Sequence, residues 1–215
     1  MSNIIRIRIR IRIALLILFV VLALTVRIYQ IVALESNLLL LIHRHSSDSI
    51  DHMMLNVNAI GGPKPVLVYT VVFSIFAILK KMKFAALAVP ISIGISGALN
   101  VGLRAVLHRH RPELWDTLIY DHSFIWSFPS GHACLAASFA TALSLAFWET
   151  KYQKIALTGG IIYCLIVAIT SVMLRVHYPL DILGGWLSGF LVVSTLWTLF
   201  QRFQPAVATA TLRED

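Results

Sequence analysis

Three clusters of charged and histidine side chains stand at the ends of long apolar segments, where such groups are costly and need a reason. The first cluster contains Arg104 and the pair Arg111-Pro112. Seven residues are almost two helical turns, so a continuous helix would project both guanidiniums from one face. Arginine grips phosphate oxygens in a fixed fork, which favours an anionic ligand. The alternative is a pair of arginines that reach toward lipid headgroups.

The second cluster is Phe128-Pro129-Ser130-Gly131-His132, immediately before a long apolar segment. Ser130 has the side chain of a helix N-cap, and Gly131 lets the backbone approach a ligand closely. Free N–H groups and the dipole at a helix start favour an anion. His132 beside them could donate a proton to a leaving oxygen. Taken alone, the same residues also fit an ordinary capped helix.

The third cluster, His177-Tyr178-Pro179-Leu180-Asp181, opens the last apolar segment. Pro179 suits a first helical turn, which brings Asp181 within reach of the His177 ring. A carboxylate that accepts one imidazole N–H fixes the tautomer and makes the other nitrogen more nucleophilic. A purely structural His–Asp cap is the alternative. Convergence of all three clusters on one membrane face favours chemistry, and the few scattered acidic residues indicate neither a metal site nor a cofactor.

The composition predicts a membrane protein. Of the 215 residues, 58% are hydrophobic and 13% are charged, whereas a soluble domain is about a quarter charged. The net charge of +8 could indicate a nucleic-acid partner, so its distribution matters. Basic residues lie between the apolar runs, and four arginines alternate with isoleucine at the N-terminus, which suits an anionic cytoplasmic leaflet: Arg6, Arg8, Arg10 and Arg12. The bilayer is therefore the expected partner, and nucleic acid is not.

The apolar segments predict an all-α protein with six transmembrane helices in one bundle, because about 20 apolar residues cross the hydrocarbon core. The expected domain at 13–201 lies between a basic cytoplasmic N-terminus at 1–12 and a cytoplasmic tail at 202–215. The stretch 13–34 is too long for a cleaved signal, which indicates an uncleaved first span. The six expected spans are 13–34, 65–79, 84–107, 133–148, 155–174 and 180–200.

Basic residues follow the second, fourth and sixth spans, which predicts that these connections and both termini are cytoplasmic in the cell membrane: Lys80, Lys81, Lys83, Lys151, Lys154 and Arg202. Segments 35–62, 108–131 and 175–179 would then face outward, with the site on the extracytoplasmic side. Within 35–62, five apolar residues recur at helical spacing opposite Asp51 and Asn58. This pattern predicts a short amphipathic helix on the membrane surface.

The three clusters together resemble the signature of the type 2 phosphatidic acid phosphatase superfamily. That signature has Lys, six residues and Arg-Pro; then Pro-Ser-Gly-His; then Ser-Arg, five residues, His, three residues and Asp. Here Arg104 replaces the lysine before Arg111-Pro112, and the second part is complete at residues 129–132. His177 and Asp181 match the third part. The resemblance covers roughly residues 60–200, and the ordered set is more specific than any part alone.

The resemblance implies a metal-free phosphatase with a histidine nucleophile. His177 would attack phosphorus to form a phosphohistidine, Asp181 would orient it, and His132 would protonate the leaving group and then activate water. The phosphoryl oxygens would be held by Arg104, Arg111, Ser130 and Gly131. One departure stands out, since Thr170-Ser171 replaces the family's Ser-Arg. Arg175 lies four residues later, on the same face of a continuous helix, and could supply the missing charge.

The expected substrates are phosphomonoester or diphosphate lipids, such as undecaprenyl diphosphate, phosphatidylglycerophosphate or phosphatidate. One alternative is a phosphotransferase that passes the phosphoryl group from one lipid to another. A second alternative is a catalytically weakened lipid-binding or transport protein, which the missing arginine favours and the intact His132, His177 and Asp181 oppose. Release of free phosphate distinguishes hydrolysis from the other two.

Overall fold

The computed structural model describes residues 3–112 and 125–202. The predicted tail beyond residue 202, and residues 113–124 of the predicted outward segment 108–131, lie outside the described residues. Within the described ranges the elements are helices without strands, so the predicted all-α class is confirmed. The helices are α1 (Asn3–Thr25), α2 (Tyr29–Arg44), α3 (Asp48–Ala59), α4 (Pro63–Leu79), α5 (Lys83–Leu107), α6 (Gly131–Ala146), α7 (Gln153–Met173) and α8 (Pro179–Arg202).

Four helical segments of the described chain are long and apolar enough to cross a membrane: Asp48–Leu79, Lys83–Leu107, Gln153–Met173 and Pro179–Arg202. The count reaches 5 if the bent pair Arg6–Thr25 and Tyr29–Arg44 forms one span. The apolar helix α6 has 16 residues, fewer than the about 20 that cross the hydrocarbon core. Helix lengths and composition therefore support a membrane protein, and they do not confirm the expected six spans.

The prediction of one continuous first helix over 13–34 is wrong. The chain ends α1 at Thr25, turns by 84° and starts α2 at Tyr29. Arg27 lies in the turn and donates a hydrogen bond from Nη2 to the carbonyl oxygen of Leu107, 2.8 Å away. Since that carbonyl belongs to the last turn of α5 and has no partner within its own helix, the contact favours the turn. The Ile-Arg repeat, which has a strand-like period, forms the start of α1.

The predicted amphipathic helix is α3, but its polar residues Asp51 and Asn58 face the protein. Ser47 caps α3, and its Oγ accepts a hydrogen bond from Ile50 N. Asn58 is buried and its amide donates to Ser171 Oγ at 2.7 Å, while Asp51 pairs with Arg175. Met53, in contrast, is 54% exposed. These two polar side chains therefore find their partners within the bundle.

Helix α6 lies at the centre of the bundle, packed against α5, α7 and α8. Its buried positions are mostly alanine and serine, and glycines of α8 lie against it. A Cβ on Gly185 would lie 2.7 Å from Ser130 O, and one on Gly189 would lie 2.5 Å from Cys134 O. Small residues let membrane helices approach closely without strong apolar attraction between them. This packing brings the start of α6 to the start of α8.

Candidate active site

The second and third clusters of the sequence are joined by a direct backbone contact. Ser130 N, at the start of α6, donates a hydrogen bond of 3.0 Å to the carbonyl oxygen of Asp181 in α8. Ser130 also caps α6 as predicted, because its Oγ accepts from Ala133 N at 3.4 Å. The start of α6, where the sequence predicts an anion site, and the His–Asp pair therefore lie together.

Arg104 reaches this site from the last turn of α5. Its Nε donates to Trp126 O at 2.9 Å, and its Nη2 donates to the same oxygen. A Cβ on Gly131 would lie 3.5 Å from Arg104 Nη1 and 3.5 Å from Asn100 Oδ1. The guanidinium is thus held against the start of α6, where the predicted phosphate contacts would form.

Arg111 reaches the site by a different route from the one predicted. Helix α5 ends at Leu107, and His108 has a φ of 46° in the left-handed region. The expectation that Arg104 and Arg111 project from one continuous helix face is therefore wrong. Arg111 lies in the segment after the helix, where its Nη1 donates to Val176 O at 3.3 Å, directly before His177.

His177 lies in the turn between α7 and α8 and is 2% exposed. Its Nδ1 is 3.5 Å from Asp181 Oδ2, longer than a normal hydrogen bond. Burial lowers the pKa of His177 to about 4; Asp181 opposes this shift, while Arg111 and Arg104 add to it. The imidazole is therefore neutral at pH 7, with Nδ1 toward the carboxylate, as a nucleophile requires.

His132 is the second residue of α6 and is partly buried. A Cβ on Gly62 would lie 3.4 Å from His132 Nε2, so the turn between α3 and α4 lies directly against the imidazole. A larger residue at position 62 would crowd this nitrogen. Because Gly62 has no side chain, His132 Nε2 keeps free space near the start of α6. This is where a proton donor is expected to act.

Arg175 is placed differently from the prediction. Helix α7 ends at Met173, and Arg175 has a φ of 58°, so it does not share a helix face with Ser171. The prediction that Arg175 and Ser171 lie on the same face of one helix is therefore wrong. The Arg175 guanidinium pairs with the Asp51 carboxylate of α3. Ser171, at the position of the family's arginine, accepts a hydrogen bond from Asn58 and donates one to Val167 O at 2.7 Å.

Two charged residues that the sequence did not single out complete the site. Arg109 Nη1 donates to Asp181 Oδ1 at 2.6 Å, and Arg109 Nη2 donates to Glu35 Oε2 at 2.5 Å. Glu35 interrupts the apolar run of α2, and a carboxylate in such a run signals a buried partner. The sequence around Arg109 does not indicate a buried partner, because the neighbouring residues are also basic. In residues 3–112 and 125–202, no group of three or more His, Cys, Asp or Glu side chains is arranged to hold a metal ion.

Residues 85–205 match the PAP2 superfamily, and the chain belongs to this family. The resemblance of the three clusters is thereby confirmed. The fold is similar to the crystal structure of a transmembrane PAP2-type phosphatidylglycerolphosphate phosphatase from Bacillus subtilis, with a TM-score of 0.81 and 20% identity. That similarity covers 91% of this chain and 98% of the other.

Three named relatives are phosphatases. Phosphatidylglycerophosphatase B of Bacillus subtilis is 26% identical over 149 residues, which cover 66% of this chain and 71% of the relative. Undecaprenyl-diphosphatase of Sulfolobus acidocaldarius is 30% identical over 125 residues, covering 57% and 58%. Lipid A 1-phosphatase of Rhizobium etli is 31% identical over 110 residues, covering 45% and 44%. These relatives support a membrane lipid phosphatase.

Proposed function

We propose that this protein is a metal-independent phosphohydrolase of lipid phosphates or diphosphates, with a phosphohistidine intermediate on His177. The observation that carries the proposal is the contact between Ser130 N and Asp181 O. This contact joins a helix start suited to an anion with a buried, neutral histidine beside a carboxylate. A nucleophile, its orienting group and N–H donors for the phosphoryl oxygens therefore meet at one place.

The first step transfers the phosphoryl group to the enzyme. With Nδ1 of His177 toward Asp181, Nε2 is the nitrogen that attacks phosphorus. The N–P bond forms as the P–O bond to the lipid breaks, and the bonding electrons leave with the lipid oxygen. His132, which is protonated when the anionic phosphate is bound beside it, donates a proton to that oxygen. The carboxylate of Asp181 stabilises the positive charge that develops on the imidazole ring.

The transferring phosphoryl group spreads negative charge over three oxygens, and fixed donors stabilise that charge. Arg104, Arg111, the Ser130 hydroxyl and the N–H groups at Gly131 supply these donors. Arg175 is the remaining candidate for the charge missing at position 171. It lies two residues before His177 in the chain, and its guanidinium pairs with Asp51.

In the second step water attacks the phosphohistidine. His132, deprotonated by the first step, accepts a proton from that water, and the N–P bond breaks to release phosphate. His177 returns to its neutral form, so the site is ready for another lipid. If a second lipid instead of water accepts the group, the same intermediate leads to phosphotransfer.

The six-span topology and an outer-face site are part of this proposal. The basic residues that follow α4 and α6 lie in the next turns or in the first turns of α5 and α7, and Arg202 ends α8. The site is assembled at the opposite helix ends, namely the ends of α5 and α7 and the starts of α6 and α8. The positive-inside rule assigns the basic ends to the cytoplasm. The site then lies at the outer leaflet, and α1 together with the short α6 completes the six spans.

The test is phosphate release by the purified protein in detergent from phosphatidate, phosphatidylglycerophosphate and undecaprenyl diphosphate. We expect release that persists in excess chelator and is abolished by His177→Ala. Release that requires an added lipid acceptor would indicate a phosphotransferase. Lipid binding without release or transfer would indicate the non-catalytic alternative, and loss of activity in chelator would contradict the metal-free mechanism.

A further inference from the structure

We infer that Glu35 and Arg109 are positioning residues for Asp181, so that α2 acts on the reaction without contacting the substrate. This inference rests on the proposed function, in which Asp181 stabilises the charge that develops on His177. Neither residue belongs to the three clusters that carry the family signature. The contact runs from Glu35 through Arg109 to Asp181, and we call these three residues the charge chain.

The geometry of the charge chain is fixed at both ends. Arg109 donates to Asp181 Oδ1 at 2.6 Å and to Glu35 Oε2 at 2.5 Å. The Arg109 guanidinium also lies 4.2 Å above the ring of Tyr178, a cation–π distance. Tyr178 N donates to the other carboxylate oxygen, Asp181 Oδ2, at 2.9 Å. Both oxygens of Asp181 are thus held in place beside His177.

Glu35 also fixes the backbone that carries Asp181. Its Oε1 accepts a hydrogen bond of 2.9 Å from Leu180 N, one of the orphan donors in the first turn of α8. A negative charge at this position is favoured by the helix dipole. One glutamate therefore orients Arg109 and holds the residue adjacent to Asp181 in the chain.

The alternating charges of Glu35, Arg109 and Asp181 determine the net charge that faces His177. The charged side chains are 9% exposed at Glu35, 5% at Arg109 and 0% at Asp181, so water screens them little. Burial alone lowers the pKa of Arg109, but Asp181 and Glu35 raise it above its ordinary value, and the guanidinium stays charged. Without Glu35, Arg109 would neutralise the carboxylate that must balance the imidazole. With Glu35 present, the three residues carry a net negative charge toward His177.

The test separates a positioning role from a structural one. Glu35→Gln keeps the side-chain shape and removes the negative charge, so we expect kcat to fall about 10-fold with KM within about twofold. In the double variant Glu35→Met with Arg109→Met, an apolar pair replaces the ion pair between these two residues, but the buried Asp181 carboxylate loses its arginine partner, so we expect the thermal midpoint to fall. We expect kcat, measured well below that lowered midpoint, to be at least about 10-fold below the wild-type value.

Two further variants complete the series. Arg109→Lys keeps one positive charge but cannot bridge both carboxylates, and we expect a kcat between those of the wild type and the double variant. The control is Arg12→Met, which removes an arginine that bonds the Ser194 carbonyl at the other end of α8. We expect it to leave kcat unchanged.

An active wild type together with a Glu35→Gln or double variant of normal kcat would overturn this inference alone. A loss confined to KM, or one that follows the thermal midpoint in every variant, would also overturn it. A wild type that releases no phosphate from any of the three lipids would overturn the proposed function, and this inference with it.

Discussion

Gly185 offers a direct way to separate the two halves of the site without changing any reacting group. A Cβ added there would lie 2.7 Å from Ser130 O, 2.8 Å from Ala133 Cβ and 3.0 Å from Cys134 N. These atoms belong to the backbone or are attached to it, so they cannot rotate away. Raising the shortest approach from 2.7 Å to the 3.4 Å of an ordinary contact moves α8 from α6 by about 0.7 Å.

The same displacement acts on the contact that joins the clusters. The hydrogen bond from Ser130 N to Asp181 O is 3.0 Å long and crosses this interface. Lengthening it by most of an ångström breaks it. A misplacement of about 1 Å in a catalytic site can cost about 100-fold in rate. We therefore expect Gly185→Ala to lower kcat by about 10- to 100-fold and to destabilise the protein by about 1–3 kcal/mol from overpacking.

Gly102→Ala is the matched control for this variant. Gly102 lies in α5 with nothing within 4 Å of an added Cβ, and alanine favours a helix by about 0.5–1 kcal/mol over glycine. Phosphate release and thermal unfolding are measured for both variants in one detergent, well below the lower midpoint. A kcat for Gly185→Ala within about twofold of the Gly102→Ala value would refute the role of this packing.

Three further predictions concern charge and topology. The pKa of His177 is 6.5 in the unfolded chain and about 4 in the folded protein. Because the unfolded state therefore binds a proton first as the pH falls from 6.5 to 4, acid favours unfolding in this range. The thermal midpoint of the wild type should therefore fall more steeply between pH 6.5 and 4 than that of His177→Gln, and parallel curves would contradict the burial of a neutral ring. Arg175→Ala should cost about 2–4 kcal/mol in kcat/KM, and a near-normal kcat/KM would reject the role of Arg175. With both native cysteines replaced, an impermeant thiol reagent should label Ile125→Cys and not Tyr152→Cys in intact cells, and the reverse pattern would overturn the orientation.

The later helices were predictable because length, apolar composition and caps agree. The predicted boundaries of the last five spans lie within two residues of α4, α5, α6, α7 and α8 at each end. The break after Thr25 was not predicted, because a single charged residue, Arg27, marks it and apolar residues resume beyond it. The partner of Arg27 in that turn is the Leu107 carbonyl, and a contact across 80 positions leaves no local pattern.

The candidate site was predictable to the extent that its residues stand in compact motifs. Ser130 as a cap and His177 beside Asp181 follow from short spacings. The charge chain was not predictable, because Glu35 and Arg109 are separated by 74 positions and nothing local pairs them. The partners of Asp51 and Asn58 in α3 were also beyond the sequence, because Arg175 and Ser171 lie more than 100 positions away.

The central claim is that His177 carries the phosphoryl group during turnover. It is tested by mixing the protein with a lipid phosphate labelled with radioactive phosphorus, quenching in base within milliseconds and mapping the labelled peptide. His132→Ala slows breakdown of the intermediate and provides a variant in which it accumulates with an activated aryl phosphate. We expect acid-labile, base-stable label on the peptide that contains His177, and none in His177→Ala. Turnover without labelled protein, or label on any other residue, would contradict the mechanism.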